Sequence, residues 1–312
     1  MNRLITILIC CGSVLTSFSQ NLIFENEFIK CVYEQSNGRF NGDYTSYYKN
    51  GQTKAQGKFS NNNRTGKWTI WDSTGNIKIQ RIYSDSYNYK TTFPKQKSND
   101  LVKLLNISQY QPEYNSDGYL DYIYLKERMV VWSKRIWRYI ENVQNPLLFD
   151  QNKLFDLINK AVFKGDLKAY APTNDDFRIE LPVNNIDTSY LKVIGYKIKE
   201  DIYFDNERFI SESRIIGICP VVMNMKNNKT YDLYWIYFPM LRKHLATISI
   251  TGKTIPSNIK NIDDLFFYRY FYGQIIKEES LENQQVSDSK QSQKIEIGLI
   301  EKEHDLWTEF NR

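Results

Sequence analysis

Apolar and polar positions change rhythm three times along the chain. Over residues 28–83 they alternate in short aromatic runs separated by Gly and Asn. Between residues 128 and 163 the spacing turns helix-like. Met129, Trp132, Ile136, Tyr139, Ile140 and Val143 recur at i, i+3, i+7, i+10, i+11 and i+14, which predicts a helix over Arg128–Val143 with one apolar face. Trp137 falls roughly 115° from the centre of that stripe at about 100° per residue, and Lys134 and Arg138 lie opposite it. A second helix is predicted over Lys153–Phe163, capped by Asp150 and ended by Gly165.

From residue 196 the pattern is rich in β-branched and aromatic residues. Tyr196–Phe204, Phe209–Val222 and Thr230–Phe238 predict three antiparallel strands, with turns at Asp205-Asn206-Glu207 and Asn227-Asn228. Pro220 and Pro239 mark strand ends or an edge. A further helix is expected from Asn261, with Asp263 and Asp264 in its first turn and Leu265, Tyr268, Tyr272 and Ile276 on one face. Residues 282–294 read as polar and mobile, and Ile295–Phe310 as a short terminal helix.

Residues 40–83 repeat with a period of 24. Gly42 returns as Gly66, Tyr44 as Trp68, Tyr47 as Trp71, Gly51 as Gly75, Lys54 as Lys78, Gln56 as Gln80 and Phe59 as Tyr83. A fixed period of this size marks a stacked supersecondary unit. Asn50-Gly51 and Thr74-Gly75 are hairpin signals, so the unit is a β-meander with Phe28–Tyr33 as a leading strand. The pattern resembles MORN-type repeats of the YwqK-like variety, which serve as binding or spacing modules. Solvated hairpins with no such role are the plainer reading. Residues 84–116, broken by Pro94 and Pro112 around an apolar island at Leu101–Ile107, read as a linker.

The expected fold is therefore α+β: an N-terminal antiparallel β-meander of MORN-like repeats, then an α+β domain with a three-stranded antiparallel sheet and flanking helices. The expected divisions are 1–19, 20–83, 84–116, 117–282 and a polar tail over 283–312, with few contacts crossing the linker.

Met1–Ser19 has the three parts of a secretory signal peptide: basic Arg3, an apolar run from Leu4 to Leu15, and the small-x-small triplet Ser17-Phe18-Ser19. Cleavage would leave Gln20 as the first residue. Cys10 and Cys11 offer a lipoprotein start instead, disfavoured by the large residues before each and the short apolar stretch. Cys31 and Cys219 would then remain, too few for a disulfide framework and expected as buried thiols rather than a bond. No later apolar stretch is long enough to span a bilayer.

Composition narrows the chemistry. The chain of 312 residues is 15% aromatic, carries a mild +5 charge and contains two His. His-based catalysis and His-ligated zinc are disfavoured, and no basic stripe calls for nucleic acid. Thr251-Gly252-Lys253-Thr254 ends like a phosphate loop, but Thr247 stands where Gly is needed. Ser257-Asn258-Ile259-Lys260 fits S-x-x-K without its companion motifs. Asp175-Asp176 and Asp263-Asp264 are adjacent carboxylates that diverge on either a strand or a helix, so turn and cap roles are expected. His244 and His304 lack ligand companions, and no nucleophile–base set supports a hydrolase. No cofactor is expected.

VVWSKRIWRYIE (130–141), LKAYAPTNDDF (167–177), SESRIIGICPVV (211–222), YDLYWIYFPMLRKHLA (231–246) and DDLFFYRYFYGQIIKEES (263–280) occur in that order. Together they resemble the GldN/PorN family of gliding-motility and type IX secretion proteins over residues 125–282. The resemblance implies a non-enzymatic periplasmic ring component, held at the outer membrane by a GldK/PorK-like lipoprotein, with a GldM/PorM-like motor component as a second contact. The repeats depart from the usual N-terminal segment of that family, and the tail after Ser280 matches it loosely. A paralogue with another partner, or a free-standing module that holds a protein, peptide or glycan through its repeats, is the alternative. Interfaces concentrate energy in Trp, Tyr and Arg, so Trp132, Lys134, Arg135, Trp137 and Arg138 are the expected partner contacts.

Overall fold

The computed structural model describes residues 20–84, 88–94, 113–182, 186–252, 255–279, 285–286 and 288–310. The signal segment Met1–Ser19 and the apolar island Leu101–Ile107 lie outside the described residues.

Seven antiparallel strands form the N-terminal sheet in chain order. They are β1 (Gln20–Glu25), β2 (Lys30–Ser36), β3 (Arg39–Tyr47), β4 (Thr53–Ser60), β5 (Asn63–Trp71), β6 (Ile77–Tyr83) and β7 (Tyr89–Phe93). The repeat is the β3–β4 hairpin followed by the β5–β6 hairpin. Equivalent positions keep their backbone: Gly51 and Gly75 have φ of +83° and +90°, and each donates its N–H back across the turn, to Tyr48 O and Asp72 O. Tyr44 and Trp68 are both fully buried. The meander is longer than the repeat at both ends. It gains β1 and β2 before it, and β7 from the segment expected as linker.

The second sheet has six strands. β8 (Val130–Glu141), β9 (Leu191–Asp205) and β10 (Ile210–Asn224) form its centre, flanked by β11 (Thr230–Asp232), β12 (Ile236–Tyr237) and β13 (Gln274–Glu278). β9 and β10 were expected; the third expected strand, Thr230–Phe238, is divided into β11 and β12, and β8 was expected as a helix. The correction has a physical cause. Ile136, Trp137, Arg138 and Ile140 are all buried, because both faces of β8 are covered. A strand buried on both sides loses its alternation and can imitate helical spacing. Its Val, Ile, Trp and Tyr content is what a strand uses.

Among the described residues four α-helices complete the fold: α1 (Lys153–Phe163), α2 (Phe238–Leu245), α3 (Ile262–Phe267) and α4 (Ser289–Phe310). The bounds of α1 are those expected, although Asp150 lies in a 3-10 turn and makes a salt bridge to Lys153 instead of capping the helix. Helix α2 occupies the end of the third expected strand: Pro239 opens it, where a missing N–H costs nothing. The helix expected through Ile276 stops at Phe267, and Gln274–Glu278 is strand β13 instead. Asn261 and Asp264 form a reciprocal capping box at its start. Asp263 instead takes a bidentate pair with Arg242, at 3.0 and 2.7 Å.

Helices α1, α2 and α3 pack on one face of the second sheet around Ile140, Tyr196, Ile198 and Ile218. Helix α4 starts earlier than the predicted terminal helix and belongs to both sheets. Ile297, Leu306 and Trp307 join Tyr33, Tyr44, Trp68 and Tyr83 of the meander in one core. Ile295 and Leu299 pack against Ile136, Ile202 and Ile275 of the second sheet. Each fully buried aromatic contributes about 1.5–3 kcal/mol, so the two halves are joined by a substantial shared core. The expectation of few contacts between them is overturned. Cys31 and Cys219 are buried free thiols.

Candidate functional site

Trp137 stands at the centre of a cluster built on the face of the second sheet opposite α1, α2 and α3. Register places it beside Lys199 of β9 and Lys277 of β13. The Lys277 ammonium lies 4.0 Å from its ring centroid and that of Lys199 5.5 Å. Its indole Nε1 donates to Asp175 Oδ2 at 2.5 Å. Lys199 Nζ also donates to Asp175, at 2.8 Å to the carbonyl and 3.1 Å to the carboxylate. Asp175 is thus a buttress between an indole and an ammonium, more than the turn residue expected.

Phe177 folds back over the sheet with φ of +59°, a left-handed conformation rare for a bulky residue. Its ring lies on Gly217, where a Cβ would meet Phe177 Cζ at 2.7 Å and Trp235 at 3.1 Å. Only glycine admits that approach. Tyr170 and Tyr237 flank Phe177 edge-on, with centroids 5.5 and 5.6 Å away. Tyr170 and Trp235 exchange both backbone hydrogen bonds at 2.9 Å. Cys219, Trp235 and Ile276 close the cluster. Each of the five sequence blocks quoted above contributes a member.

Arg138 points to the other side of β8. It donates to Glu200 at 2.5 Å, to Gly273 O at 3.0 Å and to Glu296 of α4 at 2.5 Å. Glu200 also accepts from Arg269 at 2.6 Å and Ser213 at 3.0 Å. Burial raises the Glu200 carboxyl, but Arg269 and Arg138 outweigh it and hold it at about 2.

Of the expected contact residues, Trp137 and Arg138 are buried, 6% exposed each, and lie on opposite faces of a strand. They were expected outside the apolar stripe of a helix; as neighbours in a strand they point to opposite sides and are both packed. Trp132 is half-buried against the α4 side. Lys134 pairs with Glu278 at 2.6 Å, and Arg135 grips Asp201 with two bonds of 2.6 and 2.8 Å. Lys134 and Arg135 keep about a third of their side chains in water.

A second polar cluster pins α4 to the meander. Glu301 accepts from Tyr44 OH at 2.8 Å, meets His304 Nδ1 at 3.0 Å and pairs with Lys54 at 2.9 Å. Arg64 pairs with Glu303 at 2.7 Å. The His304 imidazole is pushed below its ordinary value, by burial first and by nearby Arg64, against the pull of Glu301. A cleft of about 370 Å³ opens between the meander, the second sheet and α4. His244 lies apart, in the last turn of α2. Among the described residues, no group of three His, Cys, Asp or Glu side chains is placed to hold a metal ion, and no helix is long and apolar enough to cross a membrane.

Residues 125–308 match the model of the family described as gliding motility associated protein GldN. The chain belongs to the GldN family. No curated protein matches it. GldN proteins are structural components of gliding motility and type IX secretion. The matched range runs past residue 282 and takes in α4, so the tail that resembles the family only loosely in sequence is nonetheless part of the GldN unit. The seven-stranded meander precedes it, and its likeness to MORN repeats goes no further than the strand pattern. Sequence reasoning gave Asp175 only a turn role and did not single out Phe177 or Lys277, because the cluster joins a loop to strands far apart in the chain. All three lie in the sequence blocks that carry the family resemblance.

Proposed function

We propose that this GldN-family chain is a non-enzymatic structural subunit, exported to the periplasm after cleavage behind Ser19, that assembles into a ring with a GldK/PorK-like outer-membrane lipoprotein. A GldM/PorM-like motor component is its second contact. The observation that supports this reading is the Trp137 cluster. It is assembled from all the family blocks, and it is packed with aromatics and paired charges that suit a rigid docking face. In this reading Arg135, which shares the Trp137 face, reaches the partner, Lys134 and Trp132 stand on the α4 side of the same strand, and Trp137 and Arg138 hold the strand in place. Residues 20–83 act as a module of their own role attached to the GldN unit.

The test is purification of tagged chain from envelope fractions. Co-elution of the lipoprotein, strongly reduced in Arg135→Gln, whose amide can still donate to Asp201, while a cooperative thermal transition is retained, is the expected result. Lipoprotein recovery equal to that of an untagged control would sink the ring assignment. N-terminal sequencing of the same material checks the cleavage site: a retained Met1 or a lipidated Cys11 start overturns export in this form.

A second reading, binding through the repeats, is favoured by one feature. The meander face turned away from α4 carries Lys67, Lys78 and Lys90, exposed beside Ile77 and Ile82.

A further inference from the structure

Among the described residues, β1, the first strand of the meander, pairs only with β2, over six consecutive residues without a register shift, and its outer edge has no partner strand. Natural edge strands are blunted by Lys, Pro or a bulge, since a bare edge recruits another strand. β1 (QNLIFE) has no Lys, Pro or bulge, and its one charge, Glu25, sits at its last position and pairs with Lys30 at 3.3 Å. The opposite edge differs: β7 is one residue shorter, carries Lys90 and is followed directly by Pro94. At the centre of β1, Ile23 is 72% exposed on the face away from α4. It is the most exposed Ile, Leu or Phe among the described residues.

We propose that a second copy of the chain docks on this edge, with β1 pairing antiparallel to β1 of its twin about a two-fold axis perpendicular to the sheet. Symmetry restricts the register. An axis of that kind keeps the faces together, so paired residue numbers must sum to an even value. Two sums pair five residues of the strand. A sum of 46 sets Ile23 against Ile23, Leu22 against Phe24, and Asn21 against Glu25. A sum of 44 sets Asn21 against Ile23 and Gln20 against Phe24. Only the first matches apolar with apolar and polar with polar, and it gives each Glu25 an amide opposite rather than a second carboxylate. It also covers Ile23 with its own copy. The contact is isologous and closes at two chains, so it is separate from a head-to-tail ring contact and does not rest on the proposed function. One added strand pair is a small interface, so the dimer is expected to be concentration-dependent.

Cysteine trapping reads the register directly. Opposed residues in an antiparallel pair have Cα atoms about 4.5–5.5 Å apart, within disulfide reach. Cys31 and Cys219 are buried and give no background. In the full-length exported protein, Ile23→Cys is expected to form a disulfide-linked dimer on mild oxidation, at least fivefold more than Asn21→Cys alone. A mixture of Asn21→Cys with Glu25→Cys should cross-link as a heterodimer. Ile23→Lys, at an exposed position, should keep the thermal transition and abolish the concentration-dependent dimer in light scattering. Equal trapping of Ile23→Cys and Asn21→Cys, or a monomer at every concentration, overturns the proposal. Trapping of Ile23→Cys only to cysteines placed in β7 would overturn it in favour of a head-to-tail sheet.

Discussion

Arg138 of β8 meets Glu296 of α4 at 2.5 Å, so the first family block is tied by charge to the last helix of the GldN unit. The same guanidinium holds Glu200, which is fully buried. A buried pair that loses one partner leaves an uncompensated charge.

Arg138→Ala is therefore expected to lower stability by about 3–5 kcal/mol. Arg138→Lys should recover part of that, since an ammonium reaches one carboxylate and not both. Urea unfolding of the three proteins measures this. A midpoint unchanged by the alanine would return Arg138 to the surface.

Acid should loosen the protein in two stages. His304 has a folded value depressed below 6.5. Below pH 6.5 the unfolded chain binds a proton that the folded chain refuses, so stability falls as pH falls. The second stage begins near 4.5, where Glu200, held at about 2, and Glu301, also held well below its ordinary value, resist protonation only when folded. For Glu200 alone that difference corresponds to roughly 3 kcal/mol. Unfolding midpoints between pH 7.5 and 3.5 should show both declines, and His304→Gln should remove the upper one. An identical upper slope in that variant would exclude His304 as its cause.

Glycine substitutions separate two environments. A Cβ at Gly57 would fall within the Trp68 ring, whereas at Gly298 of α4 it meets nothing within 4 Å. Gly57→Ala should cost about 1–3 kcal/mol through overpacking. Gly298→Ala should gain up to about 1 kcal/mol through helix propensity. Thermal melts of the pair decide it, and effects of the same sign would contradict the packing described.

A fragment of residues 117–312 keeps α4 but lacks the meander that buries Trp307, Leu306 and Ile297. It is expected to bind a hydrophobic dye and to aggregate where the full chain stays soluble. A cooperative melt at the temperature of the full chain would mean that the shared core adds nothing to the GldN unit.

The sequence by itself determined the elements whose signals are local. The period of 24 marked the meander, because turn glycines and a packed aromatic recur wherever one hairpin stacks on the next. Helix α1 was legible from its single apolar face, and β9 and β10 from their β-branched runs. The family blocks carried the GldN membership in the order of the chain.

Tertiary structure alone decided the rest. Whether residues 130–141 form a helix or a strand depends on what covers each face, and β8 is covered on both, which erases the period of two. Polar residues in the tail gave no hint of burial, because Glu301, Glu303 and His304 enter the core only with partners supplied by Tyr44, Lys54 and Arg64, more than two hundred residues away. The Trp137 cluster is likewise a product of register: a charge or ring becomes part of a site only when sheet pairing brings its distant partner alongside.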